Sequence, residues 1–194
     1  NMKSREDFLH LLNEAKPLVY GEKTIPFELK QLSWYSNPKL AKKRYTEFKV
    51  KKKSGAERTI HAPVNGLKAI QKTLSFILQS VYEPHKAATG FVKEKSIVDN
   101  AKEHVGNKYV YNIDLKDFFP SITRYRVEGL LKAKPYNLPK QLAKTISKLC
   151  CFENSLPQGA PTSPVLANMI CAKMDSQLKT LAQTSKCFYT RYAD

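Results

Sequence analysis

Two carboxylates carry the first chemical suggestion in this chain: Asp114 in NIDLKDFFP and Asp194 in TRYAD. The stretch before Asp114, Tyr109 to Leu115, is rich in aromatic and β-branched residues and reads as a strand. Alternation places Tyr109, Tyr111, Ile113 and Leu115 on one apolar face and Val110, Asn112 and Asp114 on the other. The strand ends beside an Asp117-Phe118-Phe119-Pro120 turn. An acid at the mouth of a strand, followed by a rigid aromatic turn, can seat a hard divalent cation. It can equally cap the turn. Cys187 to Asp194 reads as a second strand, with Phe188, Thr190, Tyr192 and Asp194 sharing a face. Two strands would then each present an acid at one end.

A third stretch, LPQGAPTSP at 156–164, combines three prolines, a glycine and small hydroxyl residues. It reads as a rigid loop, with Ser163 capping the helix that follows and Pro164 in its first turn. A glycine-bearing loop at a helix N-terminus presents backbone N–H groups to an anion, and Gln158 adds an amide. An ordinary capped loop has the same composition. The basic residues concentrate upstream, from Lys39 to Arg58, with only Glu47 and Glu57 opposing them. YTEFKVKKKSGAERTIHAP reads as two strands, Tyr45–Lys51 and Arg58–Ala62, joined at Ser54-Gly55. Such a hairpin can hold Lys and Arg over a triphosphate or a phosphate backbone. It can also be a solvated basic edge that resists aggregation.

The elements that must position these groups are mostly helical. Ser4 and Asp7 form a capping-box pattern ahead of Phe8, Leu11, Leu12 and Ala15, and Pro17 is expected to end that helix. Leu29, Leu32 and Trp34 are expected to anchor the next segment. Asn65 is expected to cap a core helix bearing Leu67, Ile70, Leu74, Ile77, Leu78 and Val81, with Pro84 as its stop. Ser96 can cap a short helix reaching His104. Helices are expected over Arg124–Lys132 and Leu138–Cys151, then from Ser163 to about Thr184. The buried stripe of the last is expected to be Leu166, Met169, Ile170, Met174, Leu178 and Leu181.

Composition narrows the class. The chain has 194 residues, and Lys plus Arg is 33 against 17 Asp plus Glu, for a formal charge of +16. That excess favours a polyanionic partner, nucleic acid before membrane. No 18-residue apolar run, signal-peptide core or lipidation motif is present, so a cytoplasmic protein without membrane attachment is expected. Cys150, Cys151, Cys171 and Cys187 have no zinc spacing and read as reduced, mostly buried thiols. A domain rarely stops inside a strand, so the chain is expected to be a piece of a longer protein.

Asp114 in NIDLKDFF, LPQGAPTSP and the terminal Tyr192-Ala193-Asp194 occur in an order and at gaps that resemble the reverse transcriptases, and the bacterial group among them. The resemblance runs from about Lys42 to Asp194. Asn100-Ala101-Lys102-Glu103-His104 resembles the NAxxH signature of the retron-type enzymes, with group II intron enzymes as near relatives. The resemblance implies an α+β fold: a fingers subdomain and an incomplete palm, an antiparallel sheet backed by helices. It divides the chain into an N-terminal helical segment (1–40), fingers (41–108), palm strand and metal turn (109–124), a helical fingers/palm connection (125–155) and palm without thumb (156–194). It implies catalytic roles for Asp114 and Asp194. These two side chains and the Leu115 carbonyl would face two Mg²⁺ ions, and Asp194 would be the first Asp of a Tyr-x-Asp-Asp motif.

The same resemblance makes Phe119 a gate against the ribose 2′-hydroxyl. It places Gln158, Gly159, Arg58 and Lys51 at the nucleotide, and Lys49, Lys52 and Lys53 at nucleic acid. The implied partners are an RNA template, a DNA or RNA primer and a dNTP. The truncated chain alone is expected to be inactive, for want of one metal ligand and of the surface that holds the duplex. Two alternatives stand beside this reading. One is a catalytically dead, reverse-transcriptase-like RNA-binding module; the other is an RNA-templated RNA polymerase of similar palm design.

Overall fold

A computed structural model describes residues 2–51, 55 and 57–194. The chain begins with α1 (Arg5–Tyr20), whose Ser4 and Asp7 close the capping box from both sides. Pro17 does not end it. The helix continues to Tyr20 because the Gly21 N–H closes onto the Pro17 carbonyl at 2.8 Å, so the proline forfeits one bond without unwinding the last turn. In α2 (Leu29–Tyr35) Leu32 is buried as expected, but Trp34 is half exposed and anchors nothing in the core.

The hairpin forms as read, with slightly longer strands: β1 (Tyr45–Lys51) and β2 (Glu57–Pro63) pair antiparallel, Tyr45 opposite Pro63 and Lys51 opposite Glu57. Lys52, Lys53 and Ser54 of the connection lie outside the described residues. Helix α3 (Asn65–Val81) follows directly. Its N-cap is Val64, and Asn65 is already helical and makes no cap bond. The start is held by the Val64 N–H on the Arg44 carbonyl and the Lys68 N–H on the Val64 carbonyl.

The core is a helical assembly. Phe8 and Leu12 of α1 and Leu67, Ile70, Leu74 and Leu78 of α3 pack with three later helices. These are α6 (Arg124–Lys132), α7 (Lys140–Cys150) and α8 (Ser163–Thr184), preceded by the short α4 (Ile97–Lys102) and α5 (Phe118–Ser121). Each fully buried Leu or Ile contributes about 1.5–3 kcal/mol, so this cluster supplies most of the cohesion. Two polar side chains lock it. Arg44 is buried and donates to the carbonyls of Tyr35, Lys148 and Cys151. Gln71 on α3 donates to the Leu149 carbonyl at the end of α7 and to the Tyr45 hydroxyl. The stripe on α8 buries Leu166 and Met169, but Leu178 and Leu181 are exposed at its far end.

The largest departure from expectation concerns the palm. Among the described residues the sheet has two strands, β1 and β2. Tyr109–Leu115 and Cys187–Asp194 run without ladder partners, apart from one bridge joining Arg191 to Ala88. Strand propensity favours an extended conformation, but a strand also needs neighbouring N–H and C=O groups to pair with. Without them Tyr109, Tyr111 and Ile113 are 81%, 89% and 71% exposed.

Candidate active site

Asp114 and Asp194 line the same cavity, a volume of about 660 Å³ also lined by Arg58, Asp117, Gln158 and Leu115. Besides Phe152, Glu153 and Ser155 after α7, three elements build its walls. The first is β2, which contributes Arg58, Thr59 and His61. The second is the LPQGAPTSP loop, tied to β2 by the His61 N–H on the Gln158 carbonyl at 2.8 Å. Gly159 makes that approach possible: its φ is +111°, and a Cβ there would come within 2.7 Å of the Ile60 side chain and 3.0 Å of the His61 carbonyl. The loop's other end is pinned where the buried Ser163 hydroxyl donates to the Pro157 carbonyl at 2.7 Å. Ser163 is thus the first residue of α8 and binds back into the loop, while Thr162 takes the cap position and makes no side-chain cap bond.

The third wall is the turn after Asp114. Asp117 is left-handed (φ +52°) and starts a single helical turn, α5 (Phe118–Ser121), closed by the Ser121 N–H on the Asp117 carbonyl. Phe118 is buried, and Phe119 is half-buried with its ring 5.9 Å from that of Phe91. Phe118 and Pro120 line the cavity, whereas Phe119, expected as the gate, does not.

The remaining expected residues sit elsewhere. Gly159 supports the loop from behind, against β2. Lys51 and Lys49 lie on the hairpin outside the cavity wall, and Lys49 pairs with Glu57 at 2.8 Å. That exposed pair contributes at most about 1 kcal/mol, which leaves the lysine free to exchange partners. Lys52 and Lys53 fall outside the described residues.

Among the described residues neither Asp114 nor Asp194 has a hydrogen bond or ion pair, and both are exposed. No three His, Cys, Asp or Glu side chains among them cluster tightly enough to hold a metal alone. The donor set nonetheless suits Mg²⁺, which binds hard oxygens, commonly one or two carboxylates with substrate phosphates and water completing the shell.

Beside the cavity lies a network that sequence reasoning missed. Asp175, fully buried on α8, accepts from Arg191 Nε at 2.8 Å, Arg191 Nη2 at 2.9 Å and the Tyr189 hydroxyl at 2.8 Å. Arg191 Nη2 also donates to Asn168 Oδ1, whose amide donates to the Gly90 carbonyl. Desolvation pulls the Arg191 guanidinium down, but Asp175 outweighs it and holds the group above its ordinary range. The available signal was an acid and an amide, Asp175 and Asn168, at helical spacing on a largely apolar face. The NAxxH residues join the same region. Asn100 donates to the Thr89 hydroxyl at 2.8 Å, and His104 Nε2 lies 2.7 Å from the Thr190 hydroxyl.

Comparison with known proteins fits these positions into a family. The reverse transcriptase (RNA-dependent DNA polymerase) family description matches residues 50–194. The retron Ec86 reverse transcriptase of Escherichia coli is 40% identical over 78% of this chain and 47% of its own length. The retron Mx162 reverse transcriptase of Myxococcus xanthus is 35% identical over 99% of this chain and 43% of its own. The group II intron-encoded protein LtrA of Lactococcus lactis subsp. cremoris is more distant, 29% identical over 79% of this chain. The chain thus spans about half the length of the retron relatives it matches. Among the described residues no helix is long and apolar enough to cross a membrane. With the family description covering most of its length and several retron enzymes at 35–40% identity, the chain belongs to the reverse transcriptases, in their retron-type branch.

Proposed function

We propose that this chain carries the nucleotide site and part of the metal site of an RNA-directed DNA polymerase that adds dNTPs to a primer on an RNA template. The observation that supports this most is the meeting of Asp114 and Asp194, distant in sequence, in one cavity with Arg58 and Gln158. Asp114, the Leu115 carbonyl and Asp194 would hold two Mg²⁺ ions, which when bound activate the primer hydroxyl and neutralise charge on the leaving pyrophosphate. Arg58 binds the triphosphate from the hairpin, with Lys51 assisting. Its planar guanidinium suits two parallel hydrogen bonds to phosphate oxygens. Gln158 and Gly159 position the nucleotide against the template. Phe119 would offer a ribose 2′-hydroxyl an apolar ring and no hydrogen-bond partner, which selects deoxyribose. Lys49, Lys52 and Lys53 bind the nucleic-acid backbone. The activity is that of the complete polymerase, and we propose that the chain alone does not extend a primer.

Primer extension on an RNA template by the complete polymerase tests this. Asp114→Asn and Asp194→Asn each remove several kcal/mol of transition-state stabilisation, a loss of about a thousandfold in kcat. Undiminished incorporation by either variant would overturn the reading. Phe119→Ala should raise ribonucleotide incorporation about ten- to two-hundredfold relative to dNTP. An unchanged ratio would remove Phe119 from the selectivity filter.

A further inference from the structure

Arg191 is an arginine with almost nothing left to offer solvent. It is 5% exposed, and its Nε and Nη2 grip both oxygens of Asp175. Nη2 also reaches Asn168, and Nη1 donates to the carbonyl of Ala193, the residue immediately before Asp194. The backbone of Arg191 is held as well: its N–H donates to the Ala87 carbonyl at 2.7 Å, and its carbonyl accepts from the Thr89 N–H at 2.9 Å. Side chain and main chain of one residue are therefore tied to two separate elements, α8 and the 87–90 loop.

Ala193 needs such support. Its φ is +69°, a conformation that costs an L-residue roughly 1 kcal/mol or more and persists only where the surroundings impose it. The imposing contacts come from two sides. The Arg191 guanidinium holds the Ala193 carbonyl, and Gly90 packs against the Tyr192–Ala193 peptide. A Cβ on Gly90 would collide with the Ala193 nitrogen and come within 2.8 Å of the Tyr192 carbonyl carbon and 2.9 Å of the Ala193 Cα. All three are backbone atoms, so a methyl there cannot be absorbed by a rotamer change. The Gly90 carbonyl in turn accepts from Asn168 Nδ2 at 2.9 Å, which ties the loop to the same α8 face.

We propose that Asp175, Asn168, Arg191 and Gly90 form a clamp that sets the left-handed turn at Ala193 and thereby aims the Asp194 carboxylate into the cavity. The four are positioning residues: none faces the cavity, and each acts through Ala193. Helix α8 thus does two jobs. Its N-terminal end anchors the loop that carries Gln158, and its middle dictates where Asp194 stands. The metal-binding consequence rests on the polymerase reading above; the conformational one does not.

Two variants of this chain test the clamp. Gly90→Ala adds one methyl and leaves the Asp175–Arg191 pair in place. Asp175→Leu/Arg191→Met replaces the pair with apolar groups, an exchange that buried ion pairs often tolerate without loss of stability. It decides the matter if Gly90→Ala does not fold. The first readout is the backbone HN–Hα coupling and amide shift of Ala193 by NMR. The second is Mn²⁺ affinity by EPR titration, with Asp114→Asn as reference. Both variants should move the Ala193 coupling away from its positive-φ value and weaken Mn²⁺ binding about tenfold. An unchanged coupling in both variants would overturn the clamp. Should Asp114→Asn itself leave Mn²⁺ affinity untouched, the metal reading of the cavity falls, and the Ala193 coupling still decides the clamp.

Discussion

Asp175 is fully buried and accepts three hydrogen bonds from Arg191 and Tyr189, whereas Asp114 stands exposed, with no such bond among the described residues. The two acids occupy neighbouring regions of one fold and differ in what completes them. A carboxylate taken out of water must be satisfied by the protein itself, and once satisfied it has no oxygen left to give. A carboxylate left in an open cavity keeps its lone pairs for whatever enters. The Arg191 guanidinium is in effect the resident cation of the first site. The second site is an open cavity whose carboxylates are left uncommitted among the described residues.

The contrast is sharpest in stability. Asp175→Ala leaves Arg191 buried and uncompensated, and should cost about 3–5 kcal/mol in urea unfolding. Asp114→Asn removes an exposed charge and should stay within about 0.5 kcal/mol of the parent. Equal losses from the two would erase the distinction. A graded effect is expected at alkaline pH, from other buried groups. Burial pushes the Cys150 thiol from its ordinary 9.0 up to about 12, and burial likewise raises Cys151 and Tyr45. Between those limits the folded chain binds more protons than the unfolded one, so stability is fully present below about pH 9 and falls as pH rises toward about 12. Thermal unfolding across that range checks it, and Cys150→Ala should flatten the decline. The smallest effect concerns an exposed acid that is hydrogen-bonded at a helix start. Backbone N–H donors from Lys3 and Ser4 hold Asp7 below the usual carboxylate range, and the Ser4 hydroxyl completes the box. Ser4→Ala should cost about 1 kcal/mol in the same urea assay.

Periodicity made the helices legible, because α3 and α7 each bury a face whose spacing is written in Leu and Ile. The hairpin was legible because its partner strand lies a few residues away. Tyr109–Leu115 misled for the opposite reason: its composition is that of a strand, but pairing is a property of neighbours rather than of the segment. The order of motifs brought Asp114, Asp194, Arg58 and Gln158 to attention, and all four reach one cavity. The clamp was harder to see. Asp175 and Asn168 look like ordinary polar residues on a long helix until Arg191, well downstream, is placed against them. Gly90 makes room for a peptide about a hundred residues away in sequence.

The bare aromatic and aliphatic side chains of Tyr109, Tyr111, Ile113 and Phe188 bear on how the protein behaves in a tube. In dilute buffer a charge of +16 keeps neighbouring copies apart over tens of ångströms. Raising salt from about 0.1 M to 1 M shrinks that reach from roughly 10 Å to 3 Å. The exposed rings can then touch before repulsion intervenes. Sodium chloride, usually added to keep basic proteins in solution, should here promote clumping.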